Sequence, residues 1–168
     1  MTTLVVGVGN DDRGDDGLGP LAARLLARAL ERERPPVPAV PPVPAPAAAV
    51  PPPGVAVVAW TGDPMGLLDV WSGYERLVLI DAVVSGAAPG TCRRYGPDAP
   101  FARAPGASTH GLGLASALAL ARALGRVPEA IEVWGIEAAQ FEAGAPVTPE
   151  VARAVLALVE QLETELAG

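Results

Sequence analysis

Leu4-Val5-Val6-Gly7-Val8-Gly9-Asn10-Asp11-Asp12-Arg13-Gly14-Asp15-Asp16-Gly17-Leu18 is the stretch that decides the fold. Leu4 to Val8 is a short apolar run rich in β-branched residues, as a strand buried on both faces of a parallel sheet requires. Gly7, Gly9, Gly14 and Gly17 permit sharp turns or positive φ. Beyond Gly17 the period changes. Leu18, Leu21, Ala22, Leu25 and Ala29 recur at helical spacing, with Arg24, Arg28 and Glu31 between them. The stretch predicts strand, acidic loop, helix.

A glycine-rich loop between strand and helix is the usual cradle of a nucleotide phosphate, but this one is wrong for it. The dinucleotide fingerprint needs a third glycine where Asp12 stands, and the phosphate loop needs a lysine, of which the chain has none. Asp11, Asp12, Asp15 and Asp16 crowd the place where a phosphate would lie. Two like charges ~4 Å apart at a protein surface repel by about 4 kcal/mol. The loop therefore repels anions and attracts cations. Helix capping and dipole matching account for one or two of these carboxylates. Four suggest a metal role for at least one.

The chain has 168 residues, enough for one domain, and 50% of them are hydrophobic. A formal net charge of −7 argues against nucleic acid as a partner. The single cysteine, Cys92, excludes a disulfide framework and a thiolate zinc cluster, and fits a reducing compartment. The sequence opens directly on a strand with no signal-peptide pattern, and no apolar run approaches ~20 residues. A cytoplasmic protein that does not span a membrane is expected, and a monomer. All 12 basic residues are arginine, which rules out lysine chemistry.

Pro35-Pro36 should end the first helix near Arg32 or Arg34. Residues 35–54 are almost entirely Pro, Ala and Val, and read as an extended, polyproline-like insertion in a single domain spanning 1–168. Val55 to Trp60 is the second strand. Asp63-Pro64 starts a short helix reaching about Trp71. Leu77 to Ile80 is the third strand and delivers Asp81 at its end. Thr91 to Tyr95 suits an edge strand. A helix over Gly111 to Leu124, with Ser108 or Thr109 as cap, is expected to pack through Leu112, Ala115, Leu118, Ala119 and Ala123. Ile131 to Ile136 is the last strand. Thr148-Pro149-Glu150 opens a final helix with an apolar stripe of Val151, Val155, Leu158, Val159, Leu162 and Leu166. The alternation predicts an α/β fold: a three-layer α/β/α sandwich on a mostly parallel twisted sheet of about five strands.

Ligands of such sheets bind beyond the carboxyl ends of the strands. Three residues fall there: Asp16 before the first helix, Asp81 at the end of the third strand, and His110, the only histidine, at a helix start. Two carboxylates and an imidazole make an open metal site suited to a borderline divalent ion such as nickel or zinc. Plainer roles stay open: Asp81 as a loop anchor, His110 as a cap. The chain holds no Gly-x-Ser-x-Gly elbow, and Cys92 has no evident base. Trp60, Trp71 and Trp134 read as core.

Val6-Gly7-Val8-Gly9-Asn10 with Gly14-Asp15-Asp16-Gly17-Leu18-Gly19 resembles the N-terminal signature of the nickel-iron hydrogenase maturation proteases. Leu79-Ile80-Asp81-Ala82-Val83 with Pro89-Gly90-Thr91 resembles that family's second block, and Ser108 to Leu114 its third. The resemblance implies an endopeptidase. It would recognise nickel in the precursor of a hydrogenase large subunit and remove the precursor's C-terminal peptide. Asp16, Asp81 and His110 would be the metal-binding and catalytic residues, and Asn10, Thr61, Gly62 and Asp63 would contact substrate. Nickel would arrive with the precursor rather than be held stably. Thr61-Gly62-Asp63-Pro64 departs from the Gly-Gly-Thr loop of some members, and the proline-rich insertion has no counterpart. The rival reading is a non-hydrolytic metal-sensing or chaperone module of the same fold.

Overall fold

A computed structural model describes residues 1–33, 54–96 and 110–167, with 32, 33 and 110–113 described by backbone alone. The elements are β1 (Thr2–Val8), α1 (Leu18–Glu33), β2 (Gly54–Trp60), α2 (Leu67–Trp71), β3 (Arg76–Val83), β4 (Cys92–Tyr95), α3 (His110–Ala123), β5 (Ala130–Glu137) and α4 (Pro149–Leu166). They build one five-stranded sheet in the order β2-β1-β3-β5-β4. All neighbours are parallel except β4, which pairs antiparallel with β5 at the edge. Among the described residues, no helix is long and apolar enough to cross a membrane.

Strand alternation divides the core in two. Leu4, Val6, Val8, Leu77, Leu79 and Val133 face α2 and α3, through Leu67, Trp71, Leu114, Ala117, Leu118 and Ala121. Val5, Val78, Ile80, Trp134 and Ile136 face α1 and α4, through Leu18, Ala22, Leu26 and the α4 stripe from Val151 to Leu162. The expected α/β/α sandwich is therefore formed. Trp71 and Trp134 are buried and Trp60 is half-buried.

Three expectations change. Gly54 belongs to β2 and not to the proline-rich insertion, while residues 35–53 lie outside those described. β3 continues to Val83 because its pairing with β5 extends to Val83↔Glu137, so Asp81 sits inside the strand. The face of α3 shifts: the expected Leu118 is buried, together with Leu114, Ala117 and Ala121, whereas Ala115, Ala119 and Ala123 are exposed and the Leu112 side chain lies outside those described. That helix is apolar all round, so its sequence carries no phase. The expected caps Ser108 and Thr109 lie outside the described residues.

Gly7 owes its place to close packing rather than to positive φ. A Cβ on it would sit 1.9 Å from the Gly19 carbonyl oxygen, where α1 crosses β1. Gly19 answers from the helix side: a Cβ there would lie 2.2 Å from the Val8 oxygen and 2.7 Å from the Ile80 oxygen. Backbone is pressed on backbone, so nothing flexible can yield. Gly7→Ala should cost about 2–3 kcal/mol by overpacking, a melting-point drop of roughly 4–12 °C for a chain of this size. Calorimetric melting of the variant checks it; an unshifted midpoint would contradict this packing.

Candidate active site

The turn after β1 sets the first part of the site. Gly9 N–H donates to the Trp60 carbonyl (3.1 Å), which fixes the two strand ends together. The chain then folds through a 3-10 turn, Gly14–Gly17, with Gly14 at φ 55°. That turn packs against β3 and leads straight into α1.

The four carboxylates of this loop have separate roles. Asp11 forms a two-pronged ion pair with Arg24 of α1 (2.8 and 2.6 Å), and the guanidinium holds its carboxyl below the usual range. Asp12 is exposed; its N–H donates to Asn10 Oδ1 (2.9 Å) and its carbonyl accepts from Gly144 N–H (2.7 Å). Asp15 is fully buried and accepts hydrogen bonds from Ala139, Gln140 and Thr148. Asp16 is buried too, with Oδ2 accepting from Asn10 N–H (3.2 Å). The cluster is thus not a single cation trap, and Asp16 is the member that lies beside β3.

Asp81 supplies the second part. It shares a face of β3 with Leu77 and Leu79, the face that α3 covers. Its side chain is 2% exposed, and Oδ1 accepts from Ala82 N–H (2.8 Å). Burial first, and then the negative charge of Asp16, push its carboxyl well above the ordinary carboxylate value. Two carboxylates from elements 65 positions apart in sequence therefore act on each other at the carboxyl edge of the sheet.

His110 opens α3. The other end of that helix runs by a short connection into the start of β5, so the His110 backbone stands at the carboxyl end of the sheet, with Asp81. Its side chain lies outside the described residues. Among those residues no group of three metal-binding side chains forms, and two of the three expected residues come together. Asn10 lies beside Asp16. Thr61, Gly62 and Asp63 are exposed on the neighbouring rim after β2, where Asp63 Oδ1 caps the next turn by accepting from Met65 N–H (2.9 Å).

Glu137 is a site residue that sequence reading missed. It ends β5 and is buried. Its carboxylate accepts from Ser85 N–H (2.8 Å), Ser85 Oγ (2.7 Å) and Gly86 N–H (3.1 Å), fixing the loop that follows Asp81's strand. The available signal was a glutamate closing a strand whose other residues, Glu132 apart, are apolar or glycine. Cys92 lies on the edge strand, and desolvation pushes its thiol up, away from the thiolate a nucleophile needs.

An open depression of about 560 Å³ lies at the opposite end of the sheet, lined by Arg76, Arg94, Tyr95, Glu129 and Glu132. Arg76 and Arg94 both donate to the buried Glu132, whose charge is thereby matched. That matched charge contrasts with Asp81, whose carboxyl is raised by burial and by the charge of Asp16.

A family model described as hydrogenase maturation protease matches residues 49–165. That span includes Asp81 and His110. No curated protein matches the chain. The hydrogenase maturating endopeptidase HybD from E. coli superposes with a TM-score of 0.76 at 25% identity, over 99% of this chain and 93% of that one. The [NiFe] hydrogenase maturation protease HybD from Thermococcus kodakarensis gives 0.68 at 26% identity, over 99% of both chains. HycI from the same organism gives 0.71 at 20%, over 99% of this chain and 93% of that one, a likeness of fold. These superpositions extend over β1 and the turn bearing Asp16, which the family match does not reach. The chain belongs to the hydrogenase maturation protease family, and is a peptidase.

Proposed function

We propose that this peptidase recognises nickel already inserted in the precursor of a nickel-iron hydrogenase large subunit and removes the precursor's C-terminal peptide. The observation that carries the reading is the pairing of Asp16 with Asp81. Both are buried at the carboxyl edge of the sheet, and each opposes the other's charge. Like charges held together cost stability, and a divalent cation between them would offset that opposition. With His110 as third donor, the set is the mixed oxygen and nitrogen environment that nickel accepts. The nickel belongs to the substrate. Held between precursor and protease, it fixes the scissile bond and can polarise its carbonyl. Water is the nucleophile in this reading, since the thiol of Cys92 is pushed away from ionisation.

Asn10 and the rim formed by Thr61, Gly62 and Asp63 would contact the precursor. The whole chain, 1–168, would act as one domain and as a monomer in the cytoplasm, with the proline-rich insertion over about 35–54 lengthening the α1–β2 connection. Neither nucleic acid nor a membrane is a partner.

The test is incubation with the precursor in nickel-loaded and nickel-free forms, read by intact mass. The loaded form should lose one C-terminal peptide and the nickel-free form should stay whole. A loaded precursor that binds the protein yet stays whole would replace this reading with the metal-sensing or chaperone one.

A further inference from the structure

We propose that Asp15 is the positioning residue for Asp16, with the β5–α4 connection and Thr148 as the brace through which it acts. This rests on the reading of Asp16 as a group that faces nickel. Asp15 is 0% exposed, and among the described residues its carboxylate is bonded from the C-terminal part of the chain. Oδ1 accepts from Thr148 N–H (2.7 Å) and from Thr148 Oγ (2.9 Å). Oδ2 accepts from Ala139 N–H (2.7 Å) and Gln140 N–H (3.1 Å), with Thr148 Oγ at 3.0 Å. Backbone bonds close the same seam: Asp15 N–H to the Gln140 oxygen (3.0 Å), and Gly14 N–H to the Ala145 oxygen (3.1 Å). Bonds from several N–H groups to an ionised carboxylate are the strong kind, and they fully compensate its burial.

Asp16 is the next residue. Its N–H donates to the Arg13 oxygen (3.1 Å) and its carbonyl accepts from Asn10 N–H (3.1 Å), so its backbone is held on both sides of the pinned Asp15. The Thr148 hydroxyl shows where the constraint is directed. Thr148 stands at the N-cap of α4, followed by Pro149, yet it makes no side-chain cap bond. A cap of this kind contributes about 1 kcal/mol. The helix forgoes it, and the hydroxyl reaches Asp15 instead. Asp15 and Asp16, adjacent and alike in sequence, thus divide the work: one is saturated and fixes the turn, the other is presented beside Asp81.

Asp15→Asn keeps the shape but turns an NH2 group toward N–H donors. Thr148→Val keeps shape and backbone and removes the hydroxyl; Thr148→Ser restores it. Supporting groups of this type alter activity or metal affinity about 10- to 100-fold. Cleavage of the nickel-loaded precursor, measured below each variant's own melting range, should show kcat down about 10-fold or more for Asp15→Asn with KM nearly unchanged. Thr148→Val should lose less, and Thr148→Ser should match wild type. Titration with Ni2+ alone should follow the same order. Variants that melt earlier but keep wild-type kcat and Ni2+ affinity would reduce Asp15 to a structural tie and overturn the proposal. If Asp15→Asn does not fold, Thr148→Val against Thr148→Ser decides alone. A wild type that cleaves while its variants do not differ fails this proposal only. A wild type that neither cleaves nor binds Ni2+ fails the reading of Asp16 beneath it.

Discussion

Asp81→Asn should lose precursor processing by more than about 100-fold while raising the melting temperature at pH 7. The two effects share one cause. Asp81 is 2% exposed, and burial together with the charge of Asp16 raises its carboxyl well above the ordinary value. A raised acid binds its proton more tightly folded than unfolded. Its stabilising contribution is complete below the unfolded value near ~3.9 and is lost as pH rises through the raised folded value. Ionised Asp81 is therefore a liability in the free protein. Asparagine retains an oxygen for the Ala82 N–H and discards the charge. Relief of a buried, poorly compensated group is worth on the order of 1–3 kcal/mol, or roughly 2–12 °C here. The gain should shrink as pH falls toward ~4 and vanish below the unfolded value near ~3.9, where the wild-type carboxyl is protonated in both states. Processing should fail because a neutral amide oxygen is a poor substitute for a carboxylate ligand, and each ~1.4 kcal/mol of lost transition-state stabilisation is tenfold in rate. Melting curves from pH 4 to 8, beside cleavage assays, test both halves. A lower melting point at pH 7, or intact cleavage, would contradict the opposition between Asp16 and Asp81.

What the sequence revealed, and what it hid, follows from the range of the interactions. The Leu4–Val8 strand, the turn to α1 and the Asp63-Pro64 start are local patterns of period and capping, and they appear where the spacing puts them. Asp16 and Asp81 fall at one edge because parallel strands share a carboxyl end, a consequence of topology that alternation alone supplies. The division of labour between Asp15 and Asp16 was invisible. Both are aspartates in one turn, and what separates them is a set of donors 124 to 133 positions away. Sequence separation also hides the diversion of Thr148 from its cap and, across 52 positions, the clamp that Glu137 places on Ser85. The outward face of α3 was unreadable for another reason: a helix apolar on every side gives no phase.

The four buried carboxylates at the edge, Asp15, Asp16, Asp81 and Glu137, fall into two kinds. Asp15 and Glu137 are surrounded by N–H and O–H donors and tie loops down. Asp16 and Asp81 oppose each other's charge, and among the described residues Asp81 accepts one backbone bond, from Ala82 N–H. Loop anchoring explains the first kind completely. It does not account for the second, which the nickel proposed above would partner.

His110→Asn should abolish processing and leave the melting curve nearly unchanged. The residue opens α3 at the carboxyl end of the sheet. Asparagine is among the best residues at a helix start, so a histidine serving only the helix would be replaced at little cost. A ligand would not. Imidazole is a preferred donor for nickel, and an amide oxygen is weak and neutral. Loss of one ligand of three should cost more than about 100-fold, or about 3 kcal/mol in the barrier. The same role sets a pH dependence of its own. A protonated ring cannot ligate, so wild-type cleavage should fall in acid. Asp81 predicts the opposite trend for stability, which is lost as pH rises. A loss of stability with rising pH reports Asp81, whereas a loss of cleavage with falling pH is shared by the imidazole and the raised carboxyl, both of which ligate only when deprotonated. A folded His110→Asn protein that cuts the loaded precursor at a near wild-type rate would remove the imidazole from the site. The chemistry would then rest on Asp16 and Asp81 alone, as an acid pair with water.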